Sequence, residues 1–192
     1  MTRASDAGTP GQVRIIAGSL RGSVLQVPAR PGLRPTPNRL RETLFNWLAA
    51  HVPGACCLDL FAGSGALGIE ALSRGAAQVD FVERDAGLAA ALRANLERLH
   101  CADRGRVHAG DALAFLAQPV ARPFNLVLAD PPFADGLWDA VVARLGAEGG
   151  LAPSAHVYLE MPSGTGVTVP ATWSLTRETR AGEVRGALYR TP

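Results

Sequence analysis

The chain contains no lysine; every one of its 19 basic residues is arginine. Cysteine is scarce as well. Cys56, Cys57 and Cys101 are odd in number and show no C-x-x-C spacing, so packing roles are expected rather than disulfides. Cys56 and Cys57 are adjacent and would point to opposite faces of a strand. The four histidines, His51, His100, His108 and His156, are scattered without the i, i+4 pairing of a metal-binding helix, and no metal is expected. No apolar run reaches the roughly 18 to 20 residues that a membrane span needs. Met1 to Gly11 is polar and has no apolar core of a signal peptide, so a cytoplasmic location is expected, with a loose tail over residues 1–12. There is no internal repeat and no low-complexity segment.

What is present fits a soluble globular protein. The chain has 192 residues, 47% of them apolar and 19% charged, enough for one well-buried domain. Net charge is only +2, but its distribution is uneven. Residues 1–41 hold seven arginines (Arg3, Arg14, Arg21, Arg30, Arg34, Arg39 and Arg41) and one acid, Asp6, which leaves the remainder at −4. A local basic patch attracts phosphate backbones even when net charge is small. Charge alone would equally suit a solvated, slightly basic face.

Val13–Gly18 and Ser23–Val27 read as two short strands around a Ser19–Gly22 turn, too small to stand alone and therefore packed on a larger domain. A proline-punctuated loop, Pro28 to Pro35, leads to Thr36 as N-cap and Pro37 at the first position of a helix. Leu40, Leu44, Trp47 and Leu48 give that helix an apolar face, and it should end near Ala50.

Strands and helices then alternate. Helix Ala66 to Arg74 is closed by Gly75 and followed by strand Gln78–Glu83. Helix Ala86 to His100 carries Leu88, Leu92, Leu96 and Leu99. Strand Arg106–Ala109 and a short helix ending at Ala117 come next. Strand Phe124–Ala129, a helix from about Leu137 to Leu145 and strand His156–Met161 continue the pattern. Trp173–Thr179 and Val184–Tyr189 flank an Ala181-Gly182 turn as an antiparallel hairpin. This order predicts an α/β fold with a mostly parallel, doubly wound sheet and one antiparallel strand inserted near its end.

The organising stretch is Cys57-Leu58-Asp59-Leu60-Phe61-Ala62-Gly63-Ser64-Gly65-Ala66-Leu67-Gly68: a buried strand, a glycine turn and a helix start. Glycines admit close approach of a ligand, and the helix N-terminus offers unpaired N–H groups. The pattern satisfies the G-x-G-x-x-G dinucleotide fingerprint, and Glu83 stands where a ribose-binding acid belongs. On this signal NAD and S-adenosylmethionine (SAM) compete. Asp59 at the strand end would repel a pyrophosphate but suits a cationic methionine portion, and Asp111 could accept from an adenine amino group. A helix N-cap for Asp111 and a turn acid for Asp59 are the plainer alternatives.

Asp130-Pro131-Pro132-Phe133 carries the chemistry. An exocyclic amine on a nucleobase is a weak nucleophile, because its lone pair is delocalised into the ring. The Asp130 carboxylate and the Pro131 carbonyl can each accept one N–H and aim the nitrogen, while two prolines preset the backbone. Phe133 offers a flat face for a base swung out of its stack, and the carboxylate opposes positive charge developing on nitrogen.

These residues, with Arg14-Ile15-Ile16-Ala17-Gly18, Gly32-Leu33-Arg34-Pro35-Thr36, Arg41-Glu42-Thr43-Leu44-Phe45-Asn46-Trp47-Leu48 and Glu70-Ala71-Leu72-Ser73-Arg74, resemble the RsmD-type bacterial 16S ribosomal RNA guanine-N(2) methyltransferases over about residues 13 to 190. The resemblance implies a Rossmann-like class I SAM-dependent methyltransferase with a seven-stranded sheet over residues 54–192. It also implies a hairpin-and-helix extension over 13–53 serving as cofactor lid and RNA-binding element. SAM would be held by Asp59, Gly63, Gly65, Glu83 and Asp111, with Thr36, Phe61, Arg84 and Ala112 beside them. Asp130 to Phe133 would take the target base, and Arg14, Arg21, Arg34 and Arg39 the RNA. The implied substrate is 16S rRNA within an assembling 30S subunit, and the enzyme is expected to be a monomer. Adenine-N(6) methylation of DNA or RNA at the same Asp-Pro-Pro-Phe site is the alternative.

Overall fold

The computed structural model describes residues 11–28, 38–147 and 150–192. Strands β3 (Cys56–Asp59), β4 (Gln78–Glu83), β5 (Gly105–Ala109), β6 (Phe124–Ala129) and β7 (Leu151–Pro162) are parallel neighbours. Together with β8 (Ser174–Ala181) and β9 (Val184–Arg190) they form one sheet in the order β5-β4-β3-β6-β7-β9-β8. β9 runs antiparallel between β7 and β8, which is the single inserted reversal that the sequence predicts. β3 and β6 are almost wholly apolar because helices cover both faces of the parallel core.

Alternation of side chains divides the core in two. Cys57, Leu126, Leu128, Tyr158 and Leu188 face α2 (Ala66–Ser73), α3 (Ala86–Arg98) and the N-terminal segment. Leu58, Val127, Val157 and Leu159 face α5 (Trp138–Leu145) and the start of α4 (Ala112–Leu116). All eight residues of α2 are buried, since the sheet lies on one side and the N-terminal segment on the other. Gly68 stands directly over the Phe81 ring, which occupies the space of a side chain there and draws the helix against the sheet.

The N-terminal hairpin, β1 (Gly11–Arg14) and β2 (Val24–Val27), and α1 (Asn38–Trp47) are tied to this core by buried polar groups. Glu70 accepts from the Ile16 N–H (2.8 Å), the Ala17 N–H (3.0 Å) and Arg74 Nε (2.8 Å). Asn95 exchanges two hydrogen bonds with the backbone of Gln26. Arg41, fully buried, donates from Nη2 to the Arg14 carbonyl and to Asn38 Oδ1, and burial lowers its pKa while Glu70 opposes the shift.

Several boundaries differ from expectation, each for a local reason. β1 begins at Gly11, so residues 11 and 12 of the expected loose tail are paired with Val27 and Gln26; residues 1–10 lie outside the described residues. Ile15 still exchanges hydrogen bonds with the Ser23 carbonyl and the Gly22 N–H, but Ile16 and Ala17 leave the hairpin because the Glu70 carboxylate takes their N–H groups. The expected cap Thr36 and first-turn Pro37 lie outside the described residues, and α1 gives way to turns after Trp47. β7 is far longer than His156–Met161, because Phe124 of β6 pairs with Leu151 at its start and β9 pairs with it as far as Pro162. The last turn falls at Gly182-Glu183, with Gly182 at φ 60°, one residue later than predicted. Among the described residues, no helix is long and apolar enough to cross a membrane.

Candidate active site

The carboxyl ends of the central strands carry acids. Asp59 ends β3 and lies level with Phe81 of β4 and Leu128 of β6. Glu83 and Asp130 emerge two residues further on, from the same face of the sheet. Ala129 pairs with Leu159, so the next residue of β7, Glu160, emerges beside Asp130. Four neighbouring strands thus present four carboxylates along one edge.

The glycine turn closes over two of them. Gly63 and Gly65 both have positive φ, 51° and 75°, a conformation that L side chains rarely adopt. Glu83 is buried and accepts from the Gly63 N–H through Oε2 and from the Asp85 N–H through Oε1, both at 2.7 Å. Asp59, 2% exposed, accepts from the Gly68 N–H in the first turn of α2 at 2.9 Å. Burial pushes the Asp59 carboxyl up to about 7; the Gly68 bond opposes this, while the charges of Asp130 and Glu83 add to it. No ion pair among the described residues neutralises Asp59. A cationic ligand would compensate these carboxylates, whereas a diphosphate would be repelled by them. The ammonium and sulfonium of SAM fit; a dinucleotide does not.

Beyond β6 the chain turns through Asp130, half-buried, and Pro131, buried, to the exposed Pro132 and Phe133. Phe133–Asp135 form one 3-10 turn, closed by the Asp135 N–H donating to the Pro132 carbonyl at 3.0 Å. Phe133 is 42% exposed, whereas most large apolar side chains of the described residues are buried. Its ring leans on Trp138, with centroids 6.0 Å apart. An aromatic left open beside a carboxylate is suited to a planar guest.

With this geometry in view, the relatives can be placed. The family model Conserved hypothetical protein 95 matches residues 13–190. The chain is 50% identical over 181 residues to ribosomal RNA small subunit methyltransferase D of Escherichia coli, covering 94% of this chain and 90% of that protein. The chain belongs to this family. The protein of the same name from Haemophilus influenzae is 41% identical, over 99% of this chain and all of the relative. Among solved structures, the putative methyltransferase yhhF from Escherichia coli superposes with a TM-score of 0.85 at 49% identity, covering 94% of this chain and 98% of that one.

In this member of the family the remaining site residues are distributed as follows. Phe61 is half-buried against the second core, and Ala112 is buried at the start of α4. Asp111 caps α4, its Oδ1 accepting from the Ala114 N–H at 2.9 Å. Arg84 reaches from the end of β4 to Asp135, at 2.8 Å, and so joins the glycine-turn side to the segment carrying Phe133. Arg14, Arg21 and Arg39 are exposed, and Arg14 Nη1 donates to the Gly22 carbonyl at 2.9 Å. Thr36 and Arg34 lie outside the described residues.

Sequence reasoning missed Glu160. It is buried, its side chain accepts from the Tyr158 hydroxyl at 3.2 Å, and its carbonyl accepts from Trp138 Nε1 at 2.8 Å. It therefore stands behind both Asp130 and the aromatic pair. Burial raises its carboxyl to about 8, the Asp130 charge adds to this, and the Tyr158 bond opposes it. The signal was available: the apolar run Val157-Tyr158-Leu159 of β7 leads into an acid, as the apolar residues of β3, β4 and β6 do.

Proposed function

We propose that the protein transfers a methyl group from SAM to the exocyclic 2-amino group of a guanine in 16S rRNA, in the cytoplasm and on an assembling small subunit. The observation that carries the reading is the Asp130-Pro131 acceptor pair at the end of β6, one strand away from the uncompensated Asp59 under the glycine turn. When bound, SAM supplies an electrophilic methyl group on a cationic sulfur, which leaves with the bonding electron pair.

The chain's own residues do the rest. Asp59 and the backbone of Gly63 and Gly65 hold the cofactor, Glu83 takes its ribose hydroxyls and Asp111 its adenine. Phe61, Arg84 and Ala112 line the same space, and Thr36 is assigned to the cofactor with them. Asp130 and the Pro131 carbonyl accept the two N–H bonds of the amine, and the proton shed after transfer passes to solvent. Phe133, braced by Trp138, stacks on the extruded base. Residues 13–53 serve as RNA-binding element and lid, with Arg14, Arg21, Arg34 and Arg39 as the cations for the RNA phosphates. Wild-type protein should move labelled methyl groups from SAM to unmethylated small subunits; no transfer would end the reading. Nucleoside mass spectrometry should give 2-methylguanosine, and 6-methyladenosine would replace the substrate by adenine.

A further inference from the structure

The amino-terminal ends of the same strands carry a different surface. A groove of about 610 Å³ opens between α1 and strands β7, β8 and β9, and Trp47, His51, Ser154, His156, Arg177 and Arg190 are among the residues that line it. A smaller hollow of about 300 Å³ shares His51, Ser154 and His156 and extends the groove to Asn125 and Ala55. Among the described residues, no carboxylate side chain lines either part. Arg190 Nη2 donates to Ser154 Oγ at 3.1 Å and Arg177 Nη1 to the Thr176 carbonyl at 2.8 Å, and neither guanidinium enters an ion pair among the described residues. On the same hairpin, Arg180 and Arg185 share Glu178 as an ion-pair partner, at 3.7 and 2.6 Å. The rings of His51 and His156 stack 4.2 Å apart at 32°, and Trp47 is half-buried beside them.

Two uncompensated guanidiniums, an open set of aromatic rings and no acid are what a ribose-phosphate strand requires: cations for the phosphates and a π surface for a base. An apolar protein segment would need a greasy pocket, and this groove offers only Leu188 and Trp47. His156 and Glu160 lie on one face of β7, four residues apart, about 13 Å at strand rise. A structured RNA can span that distance and touch both ends.

We infer that this groove is a second docking site for the RNA substrate, Arg177 and Arg190 holding backbone phosphates and the His51–His156 rings stacking a base. The inference rests on the rRNA reading above and assigns that RNA a contact remote from Asp130.

The test is the double variant Arg177→Glu, Arg190→Glu, measured with unmethylated small subunits and with a naked 16S rRNA fragment. KM for the subunits should rise at least tenfold, and the salt slope of fragment binding should flatten by about 1.5, the loss of two phosphate contacts. Unchanged SAM affinity by calorimetry is the check on folding; if it falls, the double alanine variant takes the glutamate pair's place. Arg177→Lys with Arg190→Lys should recover most of the loss. Wild-type KM and salt slope in the charge-reversed protein would overturn the inference while leaving the methyltransferase reading intact. A loss confined to assembled subunits, with fragment binding unchanged, would assign the groove to a protein surface and also overturn it. Failure of the unaltered protein to methylate small subunits would instead strike the rRNA reading itself.

Discussion

The two ends of the central sheet are built from opposite charges in opposite surroundings. At the carboxyl ends, Asp59, Glu83, Asp130 and Glu160 crowd together, three of them buried, so each charge is felt by its neighbours. At the amino ends, Arg177 and Arg190 sit exposed beside an open groove, where water and salt screen them. Effective interaction between charges grows as water is withdrawn. Substitutions at the carboxyl end should therefore register in catalysis and in pH-dependent stability, and those at the amino end in KM and salt dependence.

The largest effect should come from Asp130→Ala, which removes an acceptor aimed at the developing charge. Methyl transfer should fall by about 10²- to 10³-fold, with SAM affinity by calorimetry retained. Loss of both would return Asp130 to a cofactor role and blur the contrast between its neighbours.

Asp59 comes next. Both Asp59 and Glu160 bind their protons more tightly in the folded state than in the unfolded one. Stability from this source is full below their ordinary values, 3.8 and 4.5, and is lost as pH rises through about 7 and about 8. Asp59→Asn, which never ionises, should stabilise the unliganded protein at pH 8 by on the order of 2–4 kcal/mol relative to its effect at pH 4, read by urea unfolding. Equal effects at both pH values would mean that Asp59 is already compensated.

Glu160→Gln should leave transfer within about threefold at pH 7, where the native side chain is largely protonated, and flatten the pH–rate profile above pH 8. An unchanged profile would confine Glu160 to packing. The smallest effect belongs to Arg84→Ala. Although it stands at the carboxyl end, its ion pair with Asp135 is 64% and 30% exposed, so unfolding should change by less than about 1 kcal/mol. A larger loss would show that position along the sheet, rather than burial, governs these charges.

Much of the carboxyl end was legible in the chain. β4 and β6 stand at the residues expected, because a short, mostly apolar stretch closed by an acid and bounded by turn residues has few other readings. The glycine turn and Asp130–Phe133 were legible for the same reason: their residues are consecutive, and local backbone chemistry defines them. The expectation for Asp111 was split, since a capping side chain and a ligand-binding one look alike in sequence. Glu70 and Asn95 were read as ordinary helix positions, yet both are anchors for the hairpin, which lies 53 to 69 residues away. Glu160 was passed over because its neighbour Asp130 lies on another strand.

The alternation of strands and helices, the glycine turn after β3 and the Asp130-Pro131-Pro132-Phe133 segment after β6 follow from the order of residues alone. Each of these rests on periodicity, glycine conformation or adjacent residues. The tertiary structure was needed to bring four strand-end acids to one edge, where the charge of Asp130 raises the proton affinity of both Asp59 and Glu160. It alone brought His51, His156, Arg177 and Arg190 from four separate segments into one groove. Charge and stacking depend on distance in space, which the fold sets and the order of residues along the chain does not.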